Sequence, residues 1–472
     1  MQLETVLRRL PGLQSRYNIF THHINKVTEI NDPPRGKNDA LKGLLAAVKD
    51  NISTKNFGAT TCSSRMLKDY KAPYDATVVN LLRDSRAVIL GKTNMDEFAM
   101  GASGLNNGLG GGPVINPISD IEDYCPGGSS SGSAAAVLAD LVDFALGTDT
   151  GGSVRLPAAW GSILGFKPSY GRISRFGVID FAQSLDTVGI LAKDIGILRK
   201  VFSVLDKYDP RDPTSLTDDL RDQLTKSHIT VERDTKPKIG IPKEFSLSSL
   251  TPEMRQHFLT YVGRLMSLGY EVYPVSVPSI KHSLIMYYIL APAEAASNLA
   301  RYDGIRYGSR SIAGDMDEHN TLFGSTRAEN FGPEVQKRII LGNYNLCSAS
   351  YKNNFIKAQK LRVQLIDEFD NVFNFANVLT GNRSAPDGID FILSPTNIGG
   401  PKTIKEETSI ESADELSAYA TDVFTTPMSL AGLPALSIPV QNGTPLGIQI
   451  AGQYGDDQRV LDFAASLYQQ NT

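Results

Sequence analysis

Short apolar runs bounded by polar turns alternate along this chain with stretches of helical spacing. Leu44–Val48, Ala87–Leu90, Leu141–Leu146 and Lys238–Ile241 read as short buried strands, and Thr77–Leu82 reads as a helix. Thr251 is an N-cap with Pro252 at the first helical position, and Met254, Phe258, Val262 and Leu265 give the following helix one apolar face. Gly269 ends that helix. Tyr270–Tyr273 returns as a strand that Pro274 stops or marks as an edge. Leu436–Val440 and Leu446–Ile450 flank Asn442-Gly443, a hairpin signal, and an amphipathic helix covers Asp457–Tyr468. Strands alternating with helices predict an α/β fold, a sheet with helices on its faces. The polar stretch 207–236 is a surface excursion or a boundary; the texture is the same on both sides of it, which favours one domain over residues 1–472.

Composition narrows the function classes. Of 472 residues, 41% are hydrophobic, enough for a large core, and the net charge of −4 offers no broad basic surface for gripping nucleic acid unaided. Cys62, Cys125 and Cys347 are scattered and form no CxxC pair, so neither a disulfide scaffold nor a structural zinc site is expected. No metal site is expected elsewhere. No apolar run approaches the roughly 18 residues of a membrane helix. The N-terminus carries Arg8, Arg9 and Arg16 with Leu3, Val6, Leu7 and Leu10 at helical spacing. It reads either as a weak mitochondrial presequence or as an ordinary first helix ended by Pro11 and Gly12.

Two segments carry the chemistry. Residues 126–136, PGGSSSGSAAA, would be a flexible linker in isolation, but they run straight into a helical Ala/Val/Leu stretch. A glycine-rich turn opening a helix points backbone N–H groups outward, yet the GxxxxGK[ST] nucleotide loop is absent. Residues 147–153, GTDTGGS, place consecutive glycines before Ser153. A sharp backbone turn there exposes the hydroxyl beside a set of N–H donors, the logic of a nucleophile with its own oxyanion hole. None of the six histidines sits in a comparable context, so a Ser–His–Asp arrangement is poorly supported. Lys49 ends an apolar strand; it is either a solvent-reaching strand-end lysine or a buried amine depressed enough to act as a base.

Lys49 together with the GGSSSGS and GTDTGGS segments resembles the amidase signature family, over nearly the whole chain from about Leu44. The resemblance implies the amidase-signature fold, a large mixed β-sheet covered by helices on both faces. It implies a Ser–cis-Ser–Lys triad with Ser153 as nucleophile, Ser129 as relay and Lys49 as terminal base. The 24 residues between the family's two serines select Ser129. The backbone N–H groups of Thr150, Gly151, Gly152 and Ser153 would form the oxyanion hole. Further stretches, KTNMDEFAMG (92–101), YGRISRFG (170–177), SLD (184–186), RYDGIRYG (301–308) and SLAGLP (429–434), resemble the A-type subunits of glutamyl-tRNA(Gln) amidotransferases within that family. That likeness implies a glutamine pocket with Arg338 for the carboxylate, Asp422 for the α-ammonium and Tyr287 in its lining. It divides the chain into an N-terminal segment to about residue 40, a catalytic core of about 41–205 and 375–472, and a helical pocket region of about 238–370.

Ser131 and Leu156 depart from the usual glycine and glutamine of those proteins. Lys49 lies nearer the N-terminus than in bacterial members, as in fungal mitochondrial ones. The expected partners are therefore a B-type subunit, which would hold ATP and Mg, and a small third subunit of fungal rather than bacterial C type. The expected reaction is glutamine hydrolysis supplying ammonia for Glu-tRNA(Gln) in the mitochondrial matrix, with no cofactor in this chain. A stand-alone amidase and an inactive scaffold protein are the competing readings.

Overall fold

The computed structural model describes residues 3–27, 38–229, 236–245, 247–312, 322–382, 385, 387–413, 417–441 and 443–469. Eleven strands join one mixed sheet: β1 Phe20–His23, β2 Leu45–Lys49, β3 Val88–Thr93, β4 Phe144–Asp149, β5 Leu164–Lys167, β6 Thr187–Ala192, β7 Ile239–Pro242, β8 Val272–Val275, β9 Phe391–Pro395, β10 Ala435–Pro439 and β11 Gly447–Ala451. Their order is β1-β3-β2-β4-β6-β5-β10-β11-β9-β7-β8. β2 runs parallel to both β3 and β4, the successive pairs β4-β6, β6-β5, β5-β10, β10-β11 and β11-β9 are antiparallel, and β7 is parallel to β8 and β9. Every residue of β2, β4 and β6 is buried, which is why these strands show no apolar–polar alternation and turn polar only at ends such as Lys49 and Asp149. Helices Ser131–Leu138 and Arg155–Trp160 pack together against the sheet, and Ile195–Leu205 and Asp457–Gln469 pack together as a second set. Ser283–Leu299, Pro333–Leu346 and Phe355–Asp370 form a helical layer packed around the first of the three.

Several boundaries differ from the sequence pattern for identifiable reasons. The strand expected at Leu141–Leu146 is Phe144–Asp149. Leu141 and Val142 are buried in the turn leaving the preceding helix, where Asp140 is left-handed, and Asp143 caps the backbone N–H of Leu45 at 2.7 Å. The strand expected at Tyr270–Tyr273 begins at Val272, because Tyr270 N–H still bonds Leu265 of the helix before it. Pro274 lies inside that strand, which is the last of the sheet. Pro11 does not end the first helix, which spans Leu3–Tyr17; burial of Val6, Leu10 and Tyr17 in the core outweighs the lost hydrogen bond. β10 and β11 pair as the hairpin pattern suggests, while Asn442 of the turn lies outside the described residues. So does part of the polar stretch 207–236, of which 218–229 is helical.

Candidate active site

The adjacent parallel strands β2 and β4 end side by side, and the residues expected to act in catalysis gather at their carboxyl ends. Lys49, the last residue of β2, is fully buried. Its Nζ donates to Ser129 Oγ at 2.8 Å, Ser130 Oγ at 2.9 Å, Thr148 Oγ1 at 3.0 Å and the Thr148 carbonyl at 3.3 Å. Ser129 and Ser130 lie in the turn that opens the helix Ser131–Leu138, and the Gly128–Ser129 peptide is cis. Ser130 hydroxyl donates to the Thr148 carbonyl at 3.2 Å, so its proton is engaged away from the glycine turn. Burial lowers the Lys49 amine from its usual range to about 7, against the opposing pull of Asp96, Asp149, Asp186 and the Cys62 thiol. A lysine so placed can exist as the neutral amine near neutral pH.

Ser153 follows β4 by four residues and keeps 7% of its surface open. The Ser130 N–H donates to the Ser153 carbonyl at 3.1 Å, which docks the two serine segments on each other. Among the described residues the Lys49 chain ends at Ser129: no hydrogen bond joins Ser129 to Ser153. No hydrogen bond among the described residues uses the N–H groups of Thr150, Gly151, Gly152 or Ser153. The two glycines are required by close approach. A Cβ on Gly151 would stand 2.7 Å from Tyr287 Cζ, and one on Gly152 would collide with Thr425 Oγ1.

The turn is braced from below. Asp149 and Arg155, on either side of Ser153 in sequence, form a fully buried ion pair at 2.8 Å. Asp149 also accepts the Val154 N–H at 3.1 Å. Arg155 reaches the Thr425 carbonyl, Gln449 Oε1 and Ser429 Oγ at 2.8, 2.6 and 2.7 Å. Burial works against the charge of Asp149, but Arg155 holds its carboxyl below the usual range. Thr150 Oγ1 donates to Asp186 Oδ1 at 2.7 Å, and burial pushes Asp186 up to about 6.

Tyr287, Arg338 and Asp422 converge beside this turn from two helices of the outer layer and the segment before β10. All three are buried. Glu334, one helical turn before Arg338, takes its Nε at 2.9 Å and fixes the guanidinium fork in one orientation. Phe181 and Tyr288 flank that fork at 5.8 and 5.5 Å. Burial works against the Arg338 cation, yet Glu334 keeps it firmly charged. Tyr288 hydroxyl donates to Asp422 Oδ2 at 3.2 Å; burial pushes Asp422 up to about 6, with Arg338 opposing. A buried cation and a buried carboxylate bridged by one tyrosine suit a zwitterionic head group.

Tyr288, Glu334, Asp186, Asp149 and Arg155 escaped the reading of the sequence. Glu334 was recoverable, since an acid four residues before an arginine on a helix is an ion-pair pattern. Asp149 and Arg155 flank Ser153, and Asp186 lies in the SLD stretch, but no local signal gives them partners. Among the described residues no cluster of three or more His, Cys, Asp or Glu could hold a metal ion, and no helix is long and apolar enough to cross a membrane.

The family model described as Amidase matches residues 2–461. The chain belongs to the amidase family. Among amidase relatives, the A-type subunit of the mitochondrial glutamyl-tRNA(Gln) amidotransferase of Eremothecium gossypii is 53% identical, covering 98% of each chain. That of Yarrowia lipolytica is 47% identical over 92% of this chain and 94% of its own. The crystal structure of the A-type subunit of glutamyl-tRNA(Gln) amidotransferase from Thermotoga maritima superposes with a TM-score of 0.72 at 32% identity, covering 98% of this chain and 92% of that one.

Proposed function

We propose that this chain is the glutamine-hydrolysing, A-type subunit of a mitochondrial glutamyl-tRNA(Gln) amidotransferase. The observation that carries the reading is the buried Lys49–Ser129 contact standing next to the Arg338–Tyr288–Asp422 head-group pocket. Ser153 Oγ attacks the side-chain amide carbon of glutamine while its proton passes through Ser129 to Lys49. The N–H groups of residues 150–153 stabilise the oxyanion; one such donor is worth about 3–4 kcal/mol. Lys49 returns a proton through Ser129 to the leaving ammonia, and water then hydrolyses the glutamyl ester by the same route. Arg338 takes the α-carboxylate, Asp422 the α-ammonium, and Tyr287 closes the wall against Gly151.

The ammonia serves a B-type partner that activates Glu-tRNA(Gln) with ATP and Mg, and a small third subunit of the fungal mitochondrial type completes the complex in the matrix. No cofactor is assigned to this chain. The relatives named as A-type subunits support this assembly, and the net charge of −4 fits a chain that leaves tRNA binding to a partner. The test is glutaminase activity of the complex purified with its B-type partner and Glu-tRNA(Gln). Glutamate release coupled to Gln-tRNA(Gln) formation is expected. Cleavage of simple amides with glutamine left intact would instead make the chain a stand-alone amidase.

A further inference from the structure

We propose that Asp96 is the positioning residue that holds Ser129 within reach of Lys49. The inference rests on the glutamine-hydrolysing reading and extends it to a group outside the triad and the head-group pocket.

Asp96 lies three residues beyond β3 and is fully buried. Its backbone N–H donates to the Ser129 carbonyl at 3.2 Å. Its carboxylate turns to the other side of the same turn: a Cβ on Gly128 would collide with Asp96 Oδ2, and so would one on Gly101. Backbone N–H groups of Gly104 and Asn106 donate to Oδ2 and Oδ1 at 3.2 and 2.9 Å and fix the carboxylate there. One residue thus holds Ser129 by its main chain and walls off Gly128 with its side chain.

The segment bearing Asp96 is itself held in an uncommon conformation. Phe98 and Ala99 are both left-handed, with φ of 50° and 62°. Cys62 and Ser63, against which they pack, are left-handed too, and Phe98 N–H donates to the Cys62 carbonyl at 3.0 Å. Non-glycine residues adopt this region at a cost, and pairs of them cluster where the surroundings over-determine a functional geometry. Phe98 is wedged between Tyr302 and Phe331, and Glu97 is tied to Ser64 and to Gly332 N–H, which supplies that over-determination.

The charge of Asp96 also acts on Lys49. The titratable groups facing Lys49 are Asp96, Asp149, Asp186 and the Cys62 thiol; those opposing burial at Asp96 are Lys49 and Arg338. Asp149 is neutralised by Arg155, and Asp186 is occupied by Thr150. Asp96 favours the Lys49 ammonium, so its removal shifts the pH at which the neutral base appears downward.

The experiment compares wild-type, Asp96→Asn and Gly101→Ala complexes. The second variant drives a methyl group into the Asp96 carboxylate and leaves its charge in place. Ammonia-dependent amidation of Glu-tRNA(Gln) reports a folded, assembled complex. With that retained, kcat for glutamine hydrolysis is expected to fall about 10-fold to 100-fold in both variants, with KM within about two-fold, as for a misplaced proton-transfer group. The low-pH limb of the rate profile should move to lower pH in Asp96→Asn only. Unchanged kcat in both variants overturns the proposal. So does a joint loss of kcat, KM and ammonia-dependent transfer, or failure of both to assemble, since either assigns Asp96 to folding alone. If the wild-type complex hydrolyses no glutamine, the proposed function fails by itself, and the same comparison with a small uncharged amide still reads Asp96.

Discussion

Lys49 Nζ stands 2.8 Å from Ser129 Oγ at the carboxyl end of a strand with no exposed residue. An amine with hydroxyl and carbonyl acceptors and, among the described residues, no carboxylate in contact is poised to lose its proton. Lys49→Met keeps the apolar stem and removes the base, and Lys49→Arg keeps a charge that cannot be titrated. Both should lower glutamine hydrolysis by about 10²-fold to 10⁴-fold, read as glutamate release. Activity within a few-fold of wild type in Lys49→Arg would remove the lysine from proton transfer.

The pH profile follows from the same burial. Desolvation favours the neutral amine and brings Lys49 to about 7, so the active base is present above that pH and lost as pH falls through it. kcat/KM for glutamine should drop nearly ten-fold for each unit below about pH 6.5 and level off above about pH 7.5. A profile flat across that interval would mean that some other group takes the proton.

Arg338 and Asp422 should act on substrate choice. Arg338→Gln removes the fork for the glutamine carboxylate and the Nε contact to Glu334, which still has Lys337; losing one partner of a buried charge contact costs about 2–5 kcal/mol. The penalty should appear mainly in KM for glutamine, with hydrolysis of a small uncharged amide nearly unchanged. Steady-state kinetics on the two substrates separates this from a general loss of the fold, which would lower both.

Arg155 is expected to matter for stability before it matters for rate. Arg155→Leu strands the fully buried Asp149, a change worth about 3–5 kcal/mol. Thermal unfolding should show a markedly lower midpoint, partly recovered by adding Asp149→Asn. No change in midpoint would mean that the turn before Ser153 is braced by other contacts.

Much of this arrangement was legible from residues in sequence. Strands such as Leu45–Lys49 stand out because a strand buried on both faces is a nearly continuous apolar run, here Leu45–Val48 ahead of Lys49. Ser153 declares itself through Gly151 and Gly152, which tolerate Tyr287 and Thr425 at close quarters, and Ser129 through its spacing of 24 residues from Ser153. What escaped depends on distant packing. β6, Thr187–Ala192, looks like an unremarkable apolar run until it is paired with β4 and β5. Asp96 and Asp186 are ordinary acids in sequence, and only folding seals them in beside Lys49. The Leu141–Leu146 expectation slipped because buried turn residues and buried strand residues are chemically alike.

The most direct measurement is amidation of Glu-tRNA(Gln) by the complex carrying Ser153→Ala, with glutamine and with free ammonia as alternative nitrogen donors. Loss of glutamine-dependent transfer with ammonia-dependent transfer preserved is the expected result, because the variant removes only the nucleophile that releases ammonia. Glutamine-dependent transfer at the wild-type rate, or equal loss with both donors, would contradict a glutamine-hydrolysing Ser153.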